Sequence, residues 1–143
     1  MNASRDPVAS EPYSAELRRL FERPLHAGEL DGAYRVYIDE QGVRIALFAE
    51  LDGAGAAPVI RQLRFQAWGC PHLIAAAEAF CRDFEGQPLA ALADFNESGL
   101  MQSLDVPVVK TSRILVLVDA VRLLCRTIHE SPTFSTGHKP DAP

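Results

Sequence analysis

The spacing of hydrophobic positions changes along the chain, and each change marks an element. Leu17, Leu20 and Phe21 recur at helical spacing behind Ser14, so a first helix capped by Ser14 and stopping before Pro24 is predicted. From Leu25 to Gln41 the pattern is poor, punctuated by Gly28 and Gly32, with Tyr34, Val36 and Ile38 alternating briefly as a short edge strand. Val43, Ile45, Leu47, Ala49 and Leu51 then alternate with Arg44, Ala46, Phe48 and Glu50, which is the period of a strand. Asp52-Gly53 and the Ala/Gly residues after it form a hairpin loop, and Leu63, Phe65 and Ala67 alternate with Arg64, Gln66 and Trp68 up to Gly69. An antiparallel sheet follows from that succession.

Beyond Gly69 the period becomes helical. Cys70 falls in the turn, Pro71 suits a first helical turn, and Leu73, Ile74, Ala77, Phe80, Cys81 and Phe84 share one face until Gly86 closes the segment. Pro88 to Ala93 predicts a short helix, Asn96 caps another through Leu104, and Pro107 breaks the chain. Thr111 or Ser112 is expected to cap a final helix. Its polar positions, Asp119, Arg122, Arg126 and His129, form a narrow stripe, so most of it is expected to be buried. The predicted fold is α+β: a small antiparallel three-stranded sheet with helices packed on one face.

Composition narrows the class. A length of 143 residues fits one domain, expected over 13–130, with a flexible lead at 1–12 and a disordered, proline-containing tail at 131–143. With 48% hydrophobic and 23% charged residues, and no stretch near the ~20 apolar residues of a membrane span, no membrane association is expected. The opening MNASRDPVASEP lacks the apolar core of a signal peptide, so the expected location is cytoplasmic. Net charge is −5, from 14 Lys+Arg against 19 Asp+Glu, without a basic cluster, which argues against nucleic acid. Three cysteines, Cys70, Cys81 and Cys125, at no zinc-ribbon spacing point to reduced thiols rather than a disulfide framework.

Cys70 carries the chemistry. A helix N-terminus offers unpaired N–H groups and partial positive charge, which bias a thiol toward the thiolate that binds metal or carries sulfur. The stretch LRFQAWGCPHLIAAAEAFCRDF, Leu63 to Phe84, resembles the strand, Gly-Cys turn and helix of the U-type iron–sulfur cluster assembly scaffolds, the IscU and NifU N-terminal family. Tyr13, Ser14, Pro24 and Gly28 fall at the spacing of that family's opening motif. VPVVKTSRILVLVDAV, Val106 to Val121, resembles its LPPVK-containing turn and last helix, so the resemblance covers roughly 13–127. It implies an IscU/SufE-like fold, a role in iron–sulfur cluster biogenesis that is not enzymatic, and Cys70 as ligand to iron or a cluster.

The sequence departs from the family at the other ligands. Asp39 to Gly42, where the first ligand cysteine is expected, has no cysteine, and Ser112 and Arg113 stand where a His and the third cysteine are expected. Cys81 lies eleven residues beyond Cys70, about three helical turns or ~16 Å away, so Cys81 and Cys125 read as core fillers. Three roles stay open for Cys70: binding iron or a labile cluster, completed by a second subunit of a homodimer or an external thiol; accepting persulfide sulfur from a cysteine desulfurase, as SufE-type acceptors do on a related fold; or none, in a regulatory module. His72 with Asp39 or Glu40 would complete a mixed site for zinc or ferrous iron; the alternative for His72 is an exposed first-turn histidine. Arg113 would approach Cys70 and activate the thiol. Val106, Pro107, Val108, Val109 and Lys110 correspond to a segment read in the family by an Hsp70-type chaperone, or form a plain interhelix turn, the second proline being absent. Trp68 reads as packing or partner contact, and His26, His129 and His138 as solvated surface.

Overall fold

A computed structural model describes residues 14–53 and 57–130. Tyr13, the lead at 1–12, the tail at 131–143 with His138, and the tip of the second hairpin lie outside the described residues. Helix α1, Ala15–Glu22, opens with Ser14 accepting from the Leu17 amide at 3.1 Å, and Leu17 and Leu20 are its buried face. Strands β1 (Tyr34–Glu40), β2 (Val43–Asp52) and β3 (Val59–Trp68) form one antiparallel sheet in the order β1-β2-β3. Helix α2, Pro71–Phe84, follows directly; α3, Glu97–Leu104, and α4, Thr111–Glu130, complete the chain, with short 3-10 turns at Leu89–Asp94 and Val108–Lys110. The expected α+β architecture is the one observed.

The strand alternation puts Tyr34 and Val36 of β1, Val43, Ile45, Leu47 and Ala49 of β2, and Leu63 and Phe65 of β3 into one core. Ala46 and Phe48, on the other parity, are buried as well. Helices α2 and α4 close the core with Leu73, Phe80, Ile114, Leu117 and Leu124. Helix α2 is buried continuously from Ala75 to Cys81, and the small residues of AAAEA let its backbone lie close between α1, the sheet and α4. In α4, Asp119, Arg122, Arg126 and His129 are exposed, the narrow stripe expected.

Two local expectations are corrected. Strand β3 begins four residues before Leu63, because Val59, Ile60 and Gln62 pair with Asp52, Leu51 and Glu50 of β2 although apolar alternation is weak there. Neither Thr111 nor Ser112 caps α4. The 3-10 turn runs straight into the helix, and the Thr111 hydroxyl turns back to donate to the Val108 carbonyl at 2.7 Å.

Candidate functional site

The turn that carries Cys70 is built on Gly69. At φ +106° this residue is in a region other residues rarely adopt, and a Cβ there would stand 2.8 Å from the Gly42 carbonyl oxygen and 3.2 Å from the Val43 Cα. The Gly69-Cys70 turn therefore lies directly against the Gln41-Gly42 turn of the first hairpin. Cys70 is the N-cap of α2, extended at φ −160° and ψ 123°, and its carbonyl accepts the first helical bond from the Ile74 amide at 3.1 Å. Its side chain makes no capping hydrogen bond. Instead it enters the hydrophobic core and is only 3% exposed. A thiol presented between sheet and helix was the expectation; the close approach of Gly69 to the hairpin and the extended Cys70 backbone seal it inside.

His72 is also buried, not an exposed first-turn residue. Burial, and then the positive charges of Lys110 and Arg113, hold its imidazole below the ordinary histidine value. The start of α4 is thus brought to the start of α2. Arg113 registers at His72, two residues beyond the thiol it was expected to activate. Asp39 and Glu40 are exposed at the end of β1, Asp39 paired in register with Arg44 and Glu40 with Val43. Among the described residues no three His, Cys, Asp or Glu side chains are placed to hold a metal ion, so Cys70, His72, Asp39 and Glu40 do not assemble the mixed zinc or iron site.

The remaining cysteines are apart from this end. Cys81 is fully buried, and burial, with Glu78 and Glu85 nearby, pushes its thiol well above the ordinary range. Burial raises Cys125 too, on the half-buried side of α4. All three cysteines are free. Trp68 is partly exposed with the Arg44 guanidinium 5.1 Å from its ring centre. In the segment after Pro107, Val108 and Val109 are 86% and 80% exposed, while Val106 packs against the core and Lys110 is half-buried.

The charged centre of the molecule is one the sequence reading misplaced. His26, expected on solvated surface, is held between two carboxylates: Nδ1 lies 2.7 Å from Glu78 Oε2 and Nε2 lies 3.0 Å from Glu85 Oε1, while its backbone N–H donates to Glu78 Oε1 at 2.8 Å. Glu85 also accepts from the Leu63 amide at 2.9 Å and from Arg64 at 2.8 Å, and these bonds hold its carboxyl below the usual range against the opposing effect of burial. The signal was present in the helix. Glu78 falls among Ile74, Ala77 and Cys81 on the apolar face, where a carboxylate requires a partner. His129 is on the surface as expected, its Nδ1 2.8 Å from the Cys125 carbonyl.

Solved structures give this arrangement a context. The N-terminal domain of a nitrogen-fixing NifU-like protein from Brucella abortus superposes with a TM-score of 0.65, covering 82% of this chain and 94% of its own, at 14% identity. The chain has the fold of the U-type scaffolds. FiSufU from Fervidobacterium islandicum AW-1, named as an iron–sulfur cluster assembly scaffold for the SUF system, gives 0.59 over 78% of this chain and 94% of its own, also at 14% identity. A structure described only as a hypothetical protein is 27% identical, with a TM-score of 0.49; the match spans 56% of this chain and 60% of that one, less than two thirds of its length. No family model matches the sequence, and no curated protein matches it. No described helix is long and apolar enough to cross a membrane.

Proposed function

We propose that this chain serves iron–sulfur cluster biogenesis as a single-thiol protein on the scaffold fold, with Cys70 accepting sulfur from a cysteine desulfurase. The observation that carries the reading is the placement of Cys70 at the N-cap of α2, where the facing end of α4 brings Lys110 and Arg113 to the neighbouring His72 and no further thiol. Iron or a cluster would be cargo here, as would zinc in its place. The donors among the described residues of one copy do not fit any of them, since soft metals need several converging thiolate or imidazole ligands. Binding of iron would require donors from a second copy or an external thiol.

Sulfur transfer needs one thiolate. The Cys70 thiol gives up its proton, its sulfur attacks the terminal sulfur of the desulfurase's cysteine persulfide, the donor's S–S bond breaks, and the donor cysteine leaves as a thiolate that takes up a proton. Cys70 then holds the persulfide. The start of a helix, where Cys70 stands, is a favourable place for negative charge. Docking of the desulfurase has to open the Gly69-Cys70 turn, and the exposed Trp68, Val108 and Val109 offer it apolar surface, as a chaperone-binding segment also would. The role is that of a carrier rather than an enzyme.

Anaerobic incubation with desulfurase and cysteine, followed by intact mass measurement, tests this. One added sulfur atom on wild type and none on Cys70→Ser is the expected result; an unmodified wild type contradicts it. The burial of Cys70 favours a second reading, a regulatory module that binds desulfurase without taking sulfur. That reading predicts no adduct, with desulfurase binding unchanged in Cys70→Ser.

A further inference from the structure

The outer edge of β3 has no strand beside it among the described residues, yet its backbone groups are bonded along much of its length. The Ile60 amide donates to the Gln87 carbonyl at 2.8 Å, and the Ile60 carbonyl accepts from Gly86 at 2.7 Å. The Leu63 amide donates to the Glu85 carboxylate at 2.9 Å. The Phe65 amide donates to the His26 carbonyl at 3.0 Å, and the Phe65 carbonyl accepts from Gly28 at 2.8 Å. Residues 26–28 thus form a strap on an edge that would otherwise be open to pairing. Beyond these backbone bonds, the His26 ring ties the strap to α2 and to Glu85.

Each ring nitrogen faces a different carboxylate, and a carboxylate only accepts. A neutral imidazole has a single N–H and serves one of them; the imidazolium serves both. We propose that His26 is a proton-dependent latch: as a cation it ties the 26–28 strap to α2 and to the Glu85 turn together, and loss of its proton frees one arm and loosens the strap from β3. The groups facing it are Glu78 from α2 and Glu85 from the turn after α2, with Arg64 of β3 and Cys81 of α2 beside those carboxylates. Between α1 and α2 the Glu16–Arg82 pair is solvent-exposed. Glu78, whose side chain is 4% exposed, meets the His26 ring with one oxygen and the His26 amide with the other, and Arg64 meets Glu85, so the charges alternate through the cluster. This inference does not depend on the sulfur-transfer reading.

The test is nitrogen-15 NMR of the imidazole in the wild-type protein, followed by amide hydrogen exchange at increasing pH. With the latch closed, both ring nitrogens of His26 should carry a proton, each facing its carboxylate. As the ring loses its proton, the protection of the Phe65 and Gly28 amides, corrected for base-catalysed exchange, should fall at least about tenfold, as the loss of one charged hydrogen bond implies. Ile45 and Leu47 in the central strand should keep theirs. In His26→Gln, neutral throughout, Phe65 and Gly28 should exchange fast at every pH. A neutral His26 accepting from a protonated Glu78, or wild-type protection of Phe65 that does not change as the ring titrates, would overturn the proposal. The wild-type spectra decide the matter even where the variant fails to fold.

Discussion

The two halves of α2 are treated differently by the rest of the molecule. Its C-terminal half carries Glu78, Cys81 and, just beyond, Glu85, and each carboxylate there is matched by His26, Arg64 or a backbone amide. Its N-terminal half begins at Cys70, whose side chain makes no capping bond, and carries His72, which lies near the positive charges of Lys110 and Arg113. One half spends its polar groups on holding β3 and the strap in place. The other keeps a buried thiol and a buried imidazole at the meeting of a hairpin turn and two helix starts. The contrast between Cys81 and Cys70 makes the same point on one helix: the first is fixed as a thiol by burial and two carboxylates, and the second sits where α2's amides point.

The comparison predicts that mutations in the anchored half cost the most stability. Glu78→Ala leaves the His26 ring and amide without their buried acceptor and should destabilise the fold by about 3–5 kcal/mol in urea titration. A loss below about 1 kcal/mol would mean that the cluster is not the anchor described. Gly69→Ala comes next. The φ of +106° alone costs about 1–3 kcal/mol, and contact with the Gly42 oxygen adds to it, displacing Cys70; faster alkylation of Cys70 in that variant would show the turn had opened.

Cys70→Ser should cost only of order 1 kcal/mol, the burial of one hydroxyl, while removing sulfur uptake altogether. Large losses of both stability and uptake would blur the distinction between the two halves. The smallest effect is a pH dependence. Glu85 has a depressed pKa in the folded state, so it contributes stability that is present above the unfolded glutamate value and is lost as pH falls through the lower folded one. Glu85→Gln should flatten that acid limb of a melting-temperature profile, and an unchanged limb would assign it to other carboxylates.

Much of the fold is legible because its signals are local. Ser14 and Asn96 cap the helices they precede, the parity of β2 sorts its core residues, and Gly69 marks the end of β3. What escapes is what depends on distant partners. His26 meets Glu78 and Glu85 across 52 and 59 residues, so no spacing rule finds it, although a carboxylate inside an apolar helix face demands a cation somewhere. The position of Cys70 is legible and its burial is not, because that depends on how closely two turns separated in sequence approach each other. Asp39 and Glu40 look near the thiol on paper, but the end of β1 leaves them in solvent.

The direct test of the central claim is metal content. Wild type and Cys70→Ser, purified anaerobically and exposed side by side to ferrous iron and sulfide, should both stay without stoichiometric iron and without charge-transfer absorption. Iron held by the wild type at a fixed ratio, with visible absorption that the serine variant lacks, would contradict the single-thiol account.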